Sequence, residues 1–273
     1  MELAAATYTT MVLVGVLGAV KMRIKIFLCI LFGIFLFYLI PFVSSTSVNV
    51  TSVQKYYFLM PNGTGTGYVP FTGGQTGNNS VPFATVSLND TGGGTSDTFN
   101  KYLVDVYFNS TGVLVNRSNA SATFGVWINA SVSVVQFGGN VRVQNASFSR
   151  TTSGKGTYAV LPTAVNLSAT ALVFYYASTD ATDDYTDNSV RGAFVNTTYI
   201  NFTVDAASTT GIKTGQWYAF ESLDGSFTVQ NVSISFSTNA VAATGVINSI
   251  DTAKTFVITS YITSESSDDA RDG

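Results

Sequence analysis

The residue pattern with the plainest chemistry is Asn-x-Ser/Thr, the acceptor sequence for an N-linked sugar. It occurs 13 times, at Asn49, Asn62, Asn78, Asn89, Asn109, Asn116, Asn119, Asn129, Asn145, Asn166, Asn196, Asn201 and Asn231. The chain holds 19 Asn, and Ser and Thr fill about one position in four, so roughly five matches arise by chance. The excess predicts heavy N-glycosylation. The alternative is a Ser/Thr-rich chain with accidental matches, in a bacterial host that lacks the machinery.

Other chemistry is sparse. There is no His, and the one Cys is Cys29, inside an apolar run near the N-terminus. A chain exported without that run therefore has no disulfide, no Cys/His zinc site and no Ser-His or Cys-His nucleophile pair. A glycosidase needs two carboxylates facing one bond. Glu221 with nearby Asp224, and Asp105 on an expected strand, are the candidates, and any chain of this size offers such a pair. No Lys lies in a Ser/Lys hydrolase motif. The sequence reads as a non-enzyme. Asp180, Asp183, Asp184 and Asp187 form the one dense carboxylate cluster, and their oxygens are compatible with Ca²⁺. The alternating ligands, the Gly and the closing Glu of an EF-hand loop are absent, so a solvated acidic loop is the simpler reading. No other cofactor is expected beyond covalent N-glycans. The net charge is −3, with the few Lys and Arg scattered, so no basic stripe exists to neutralise phosphates and nucleic acid is not an expected partner.

The segment that delivers these residues to their compartment is Met22–Ser47. Arg23 and Lys25 flank an apolar run, Ile26–Ile40, which Pro41 breaks before Ser44, Ser45, Thr46 and Ser47. That order is a secretory signal, with a cut after Ser45 or after Ser47. The rival is an uncleaved anchor, since Ile24–Val43 is about 20 residues and long enough to span a bilayer. Either way the remainder is placed outside the cell, and the membrane is met only through this segment. Residues 1–21 read as an over-extended N-terminus ahead of a true start at Met22.

The remainder has strand composition, rich in Thr, Val, Tyr and Phe and poor in Lys and Glu. Val48–Met60 is extended in character and runs into Pro61–Gly67. Gly-x-Gly-x-Gly there lacks a following helix and the phosphate-binding Lys, so it reads as a flexible link. Strands are expected at 81–88, 102–108, 112–115, 124–137, 141–149, 157–161, 170–177, 194–204, 216–221, 227–236 and 254–262. Asn89–Asp97 is expected as a Gly-rich turn, and Gly138-Gly139 as a hairpin turn. No helical period is sustained outside the signal. The fold class is all-β: an immunoglobulin-like or jelly-roll-type β-sandwich head over 68–263, preceded by the signal helix and the extended strand with its linker over 48–67. Residues 264–273 form an acidic, disordered tail. Two stacked sandwiches are the alternative.

A glycan cannot enter a core, so each acceptor constrains its strand. In 124–135, Val126, Ile128, Ala130, Val132 and Val134 share one face, with Asn129, Ser131 and Ser133 on the other. Asn196 and Asn201 sit on opposite parities of one apparent strand, which requires a bulge at Thr197-Thr198 or one unmodified Asn. The echoes Val143-Gln144-Asn145 and Val229-Gln230-Asn231 slip in apolar parity and read as two bulges.

Strand Val48–Met60 can take two forms. It pairs within its own head, or it leaves on its Gly-rich leash and completes a neighbour's sheet, with Val48, Val50, Val53, Tyr56, Phe58 and Met60 as the contributing residues. Donation is a head-to-tail contact that does not close, so it grows a filament of identical copies and covers an exposed edge. The signal MRIKIFLCILFGIFLFYLIPFVSS, the extended N-terminal stretch, the Thr/Ser/Tyr-rich β-head, the missing Cys and the many acceptor sites resemble the glycosylated thread filament subunits of thermoacidophilic archaea. The resemblance covers the organisation of the whole chain and rests on no invariant motif. It implies an extracellular surface filament for adhesion or biofilm, linked by donor-strand complementation and carrying sugars on the Asn residues named above. The alternatives are a monomeric surface glycoprotein, anchored by Ile24–Val43 or associated with an S-layer, and a type IV pilin-like subunit. Against the last, Lys21-Met22 and Lys25-Ile26 do not offer the usual processing site.

Overall fold

Alternating Val, Thr, Tyr and Phe give most of the chain a two-residue period, and the described residues form strands accordingly. The chain divides into two compact units, Met1–Ser45 and Thr46–Gly273. A computed structural model describes residues 47–61, 63–90, 103–117, 126–150, 156–178, 189–204, 213–236 and 242–260, all in the second unit. The signal, the cleavage position Ser45, Asn62, Asn119, the Asp180–Asp187 cluster and the tail 264–273 lie outside the described residues, as does the Asn89–Asp97 turn beyond Asp90.

Twelve strands are described: β1 Val50–Met60, β2 Thr66–Pro70, β3 Ser80–Asp90, β4 Val104–Phe108, β5 Gly112–Arg117, β6 Val126–Phe137, β7 Val141–Arg150, β8 Gly156–Val160, β9 Thr170–Ser178, β10 Arg191–Asn196, β11 Tyr199–Thr203 and β12 Lys213–Ser222. They build four three-stranded sheets, in the orders β1-β6-β3, β2-β5-β4, β7-β12-β9 and β10-β11-β8. Every pairing is antiparallel. Among the described residues, helical turns are confined to two short 3-10 segments, Leu167–Ala169 and Thr252–Lys254. The described part is thus all-β and antiparallel.

Three apolar clusters hold the sheets together. In the first, Tyr56, Phe58 and Met60 of β1 and Ile128, Ala130, Val132 and Val134 of β6 meet Val104 and Val106 of β4 and Val113 and Val115 of β5. In the second, Phe148, Trp217 and Ala219 meet Ile200 and Phe202. In the third, Tyr218 and Phe220 on the opposite face of β12 meet Val81, Phe137 and Val141. Strand β12 is therefore buried on both faces, and it reads as a near-continuous apolar run, Trp217–Phe220, for that reason.

Five expectations are corrected. The β2 strand occupies part of the supposed link 61–67: Thr66 and Gly67 pair with Asn116 and Val115 of β5. Gly138-Gly139 does not close a hairpin, because β6 and β7 belong to different sheets. Phe194–Val204 is a hairpin, with Thr197-Thr198 as its turn and β10 paired to β11. The ladder of β7 on β12 is unbroken from Val141↔Ser222 to Arg150↔Lys213, so no bulge lies at Gln144-Asn145. The parity slip there has another cause: Val141 and Val143 pack on the third cluster, whereas Phe148, on the other face, packs on the second. Finally, 227–236 and 254–260 carry no strand pairing. Phe227 and Val229 lean on the third cluster, but Val232, Ile234, Phe236, Phe256 and Val257 are exposed.

Candidate functional site

Two parts of the surface bear on function: the seat of β1 and the distribution of the acceptor asparagines. Strand β1 is an edge strand, paired only with β6, in register from Ser52↔Gln136 to Met60↔Ile128. Its alternation decides its faces. Tyr56, Phe58 and Met60 are 3%, 5% and 1% exposed, while Tyr57 and Leu59 between them are 71% and 61% exposed. Burying three side chains of this size stabilises the seat by about 1.5–3 kcal/mol each. The Tyr56 hydroxyl donates to Gln75 Oε1 at 2.8 Å, and Gln75 Nε2 donates to the Val134 carbonyl at 3.0 Å, so the polar tip is satisfied inside the core. Gly67 of β2 lies so close that a Cβ there would stand 2.9 Å from the Phe58 ring.

Of the six residues expected to contribute from this strand, Tyr56, Phe58 and Met60 share the buried face. Val50 and Val53 do not: both are exposed, because the ladder slips between Val50 and Ser52 and Val53 has the opposite parity. Val48 packs against the third cluster. Ahead of β1, Ser47–Asn49 is clasped by the loop between β6 and β7. The Gly138 amide donates to the Asn49 carbonyl at 2.7 Å, Asn140 Nδ2 to the Ser47 carbonyl at 3.1 Å, and the Asn49 amide to Asn140 Oδ1 at 3.3 Å. Asn140 Nδ2 also reaches Asp224 Oδ2 at 3.1 Å. With Ser226 it holds the exposed Asp224 carboxyl down at about 2. This clasp had no sequence signal beyond Gly-Gly-Asn.

The outer face of the same sheet is open. Tyr57, Leu59, Thr85, Ser87, Asn129 and Ser131 surround a shallow hollow of about 390 Å³. Asn129 stands opposite Leu59 and Ser87, exposed, with Ile128 and Ala130 buried beneath, as the alternation requires.

The acceptor asparagines with described side chains fall into distinct settings. Asn49, Asn78, Asn109, Asn129, Asn145, Asn166, Asn196 and Asn231 are exposed, whereas Asn116 and Asn201 are half-buried. Three of the exposed ones hold a turn through their own amide oxygen. Asn109 Oδ1 accepts from the Thr111 amide at 2.9 Å, the Thr111 hydroxyl at 3.1 Å and the Gly112 amide at 2.7 Å. Asn166 Oδ1 accepts from the Ser168 amide at 3.1 Å and its hydroxyl at 2.9 Å. Asn196 Oδ1 accepts from the Thr198 amide at 2.8 Å, its hydroxyl at 3.0 Å and the Tyr199 amide at 3.0 Å. The two half-buried ones lie inside strands. Asn116 Nδ2 donates to the Tyr107 hydroxyl at 3.2 Å, and its Oδ1 is buried without a partner among the described residues. Asn201 Oδ1 is likewise buried and unpaired, against Gly156. Asn89 lies in β3, opposite Trp127.

The carboxylates do not converge. Glu221 grips Arg142 through Oε2, at 3.1 Å from Nε and 2.5 Å from the terminal nitrogen, and its Oε1 accepts from the Asn166 amide at 2.8 Å. It therefore ties β12 to β7 and to the Asn166 turn. Asp105 packs against β12 near Gln216, five residues from Glu221, which is roughly 16 Å along an extended strand. Burial pushes its carboxyl up to about 7, against backbone hydrogen bonds at Gln216 and Val106 that lower it. Among the described residues no group of three or more His, Cys, Asp or Glu could hold a metal ion, and no helix is long and apolar enough to cross a membrane. No family model, curated protein or solved structure matches the chain.

Proposed function

We propose that the chain is the structural subunit of an extracellular, N-glycosylated surface filament, assembled head to tail from identical copies for adhesion or biofilm. The carrying observation is the seat of β1. It is the first described strand, it lies at a sheet edge, and its buried side chains complete the first core. A short link, Pro61–Gly65, is all that joins it to β2. A neighbour's β1 would make the same contacts on β6 with Ile128, Ala130, Val132 and Val134 and cover the edge of β6. Opening the link then turns a closed contact into a propagating one. The density of exposed acceptor asparagines supports an exported glycoprotein. The head in this reading is a β-sandwich of immunoglobulin-like or jelly-roll type.

Electron microscopy of filaments sheared from the native cell surface, with peptide mapping of the same fraction, tests the proposal. Threads containing this chain, with residues 46–60 traced into the adjacent subunit, are expected. A chain that stays in the membrane fraction with Ile24–Val43 attached, and in no filament, overturns it. The second reading, a monomeric surface glycoprotein, is favoured by one observation: within the single chain, β1 pairs with its own β6.

A further inference from the structure

We propose that the acceptor asparagines are sorted by backbone conformation: Asn109, Asn166 and Asn196 are the sugar-bearing sites, and Asn116 and Asn201 stay bare. The inference rests on the glycoprotein reading above and narrows it to named residues. In N-glycosylation the Asn Nδ2 attacks the anomeric carbon of a sugar activated as a lipid-linked phosphate ester. The C1–O bond to phosphate breaks, the C1–N bond forms, one Nδ2 proton passes to a base of the transferring enzyme, and the phosphate leaves on its lipid. The acceptor must therefore present a free Nδ2, with the hydroxyl two residues on held beside the amide.

The three turn sites already have that arrangement. In each, the amide oxygen takes the hydrogen bonds, from the backbone N–H and the hydroxyl of the residue two positions on, at 2.8–3.1 Å. Each of the three asparagines is exposed, and its nitrogen has no hydrogen-bond partner among the described residues. An extended strand cannot do this. Residues i and i+2 there stand about 6.5–7 Å apart, so the hydroxyl cannot reach the amide without unpairing the strand. Asn116 and Asn201 are in ladders: Asn116 pairs with Asp105 and Thr66, and Asn201 with Ala193 and Tyr158. Their amide oxygens are already buried, and Asn116 Nδ2 is engaged by Tyr107. A sugar at Asn116 would cost its hydrogen bond to Tyr107, and a sugar at either residue would push its strand out of place.

The test is site-by-site occupancy. The full chain, exported from a cell with an N-glycosylation pathway, is digested and its glycopeptides are quantified at each acceptor. As a second measurement, the unmodified folded chain and the same chain in urea are each given a purified transferase and its lipid-linked sugar. Near-complete occupancy at Asn109, Asn166 and Asn196 with Asn116 and Asn201 bare is expected, and in vitro the difference should vanish in urea. Sugar at Asn116 or Asn201 to the level of the turn sites, or a bare turn site, overturns the sorting alone. Sugar at no acceptor overturns the glycoprotein reading and the sorting with it.

Discussion

Asp105 is the residue whose chemistry is most altered by the fold. Its Oδ1 and the Oδ1 of Asn116, directly across from it on β5, are both buried without a donor among the described residues. Protonating Asp105 removes a buried charge, and burial favours that neutral state. Burial raises its pKa from 3.8 to about 7; burial first, and then the charge on this carboxylate, pushes the Tyr218 hydroxyl up as well. The sign follows: the folded state binds a proton that the unfolded chain has released. The contribution of Asp105 to stability is fully present below pH 3.8, falls as pH rises through the window from 3.8 to about 7, and levels off above it, with a loss on the order of 4 kcal/mol. Asp105→Asn keeps the shape and removes the proton. Urea midpoints from pH 4 to pH 8 should flatten in this variant and gain at the alkaline end. An unchanged slope would mean that the carboxyl titrates normally. None of this could be read from the sequence, where Asp105 was only a carboxylate on a strand, because burial comes from β9 and β12, which are distant in the chain.

Elements were legible wherever one face was wet. The alternation in 124–137 placed Ile128, Ala130, Val132 and Val134 inside and Asn129 outside, as found. It failed where a strand serves two cores, as β7 does, or where two strands abut with only Thr197-Thr198 between them. The β1 alternation predicts a sharp contrast. Phe58→Ala should cost about 3–5 kcal/mol, since it empties a filled core position, whereas Leu59→Ser should cost under about 0.5 kcal/mol. Chemical denaturation of both variants checks it, and equal losses would mean that the outer face is covered. The link has its own prediction. Gly63 holds φ +79°, and the Thr64 amide closes the turn on the Pro61 carbonyl at 3.0 Å. Gly63→Val should raise the closed turn by about 1–2 kcal/mol, because a side chain is strained in that left-handed region. If β1 exchanges between copies, strain in the closed link favours the open one. Light scattering after slow cooling from the melted state should then show more dimers and larger species than the parent chain. A strictly monomeric variant with a lowered Tm would show that the link stabilises β1 at home and does not gate its release.

At the scale of the molecule, the stretch after β12 departs furthest from its sequence pattern. Sequence alternation predicted strands at 227–236 and 254–262, yet the described residues 227–236 and 254–260 stand outside every sheet. A strand needs a partner ladder as well as an alternating face, and alternation alone does not say whose ladder it joins. Segments 229–234 and 245–248 do lie together: a Cβ on Gly245 would stand 2.4 Å from Val232, and the Asn248 amide donates to Gln230 Oε1 at 2.7 Å. Yet Phe236 is 65% exposed, Val246 94% and Val257 80%. Apolar side chains exposed to this degree suit a surface that meets a partner. If copies assemble, this is the surface that assembly has reason to cover. The isolated chain should bind a hydrophobic dye strongly and be cut by chymotrypsin at Phe236 and Phe256, and assembled filaments should lose both responses. Dye binding and cleavage that are identical in both states would confine the intersubunit contact to β1 and its seat. Protection of 227–258 together with residues 47–60 would instead show that each copy contributes two segments to the junction, one at each end of its described chain.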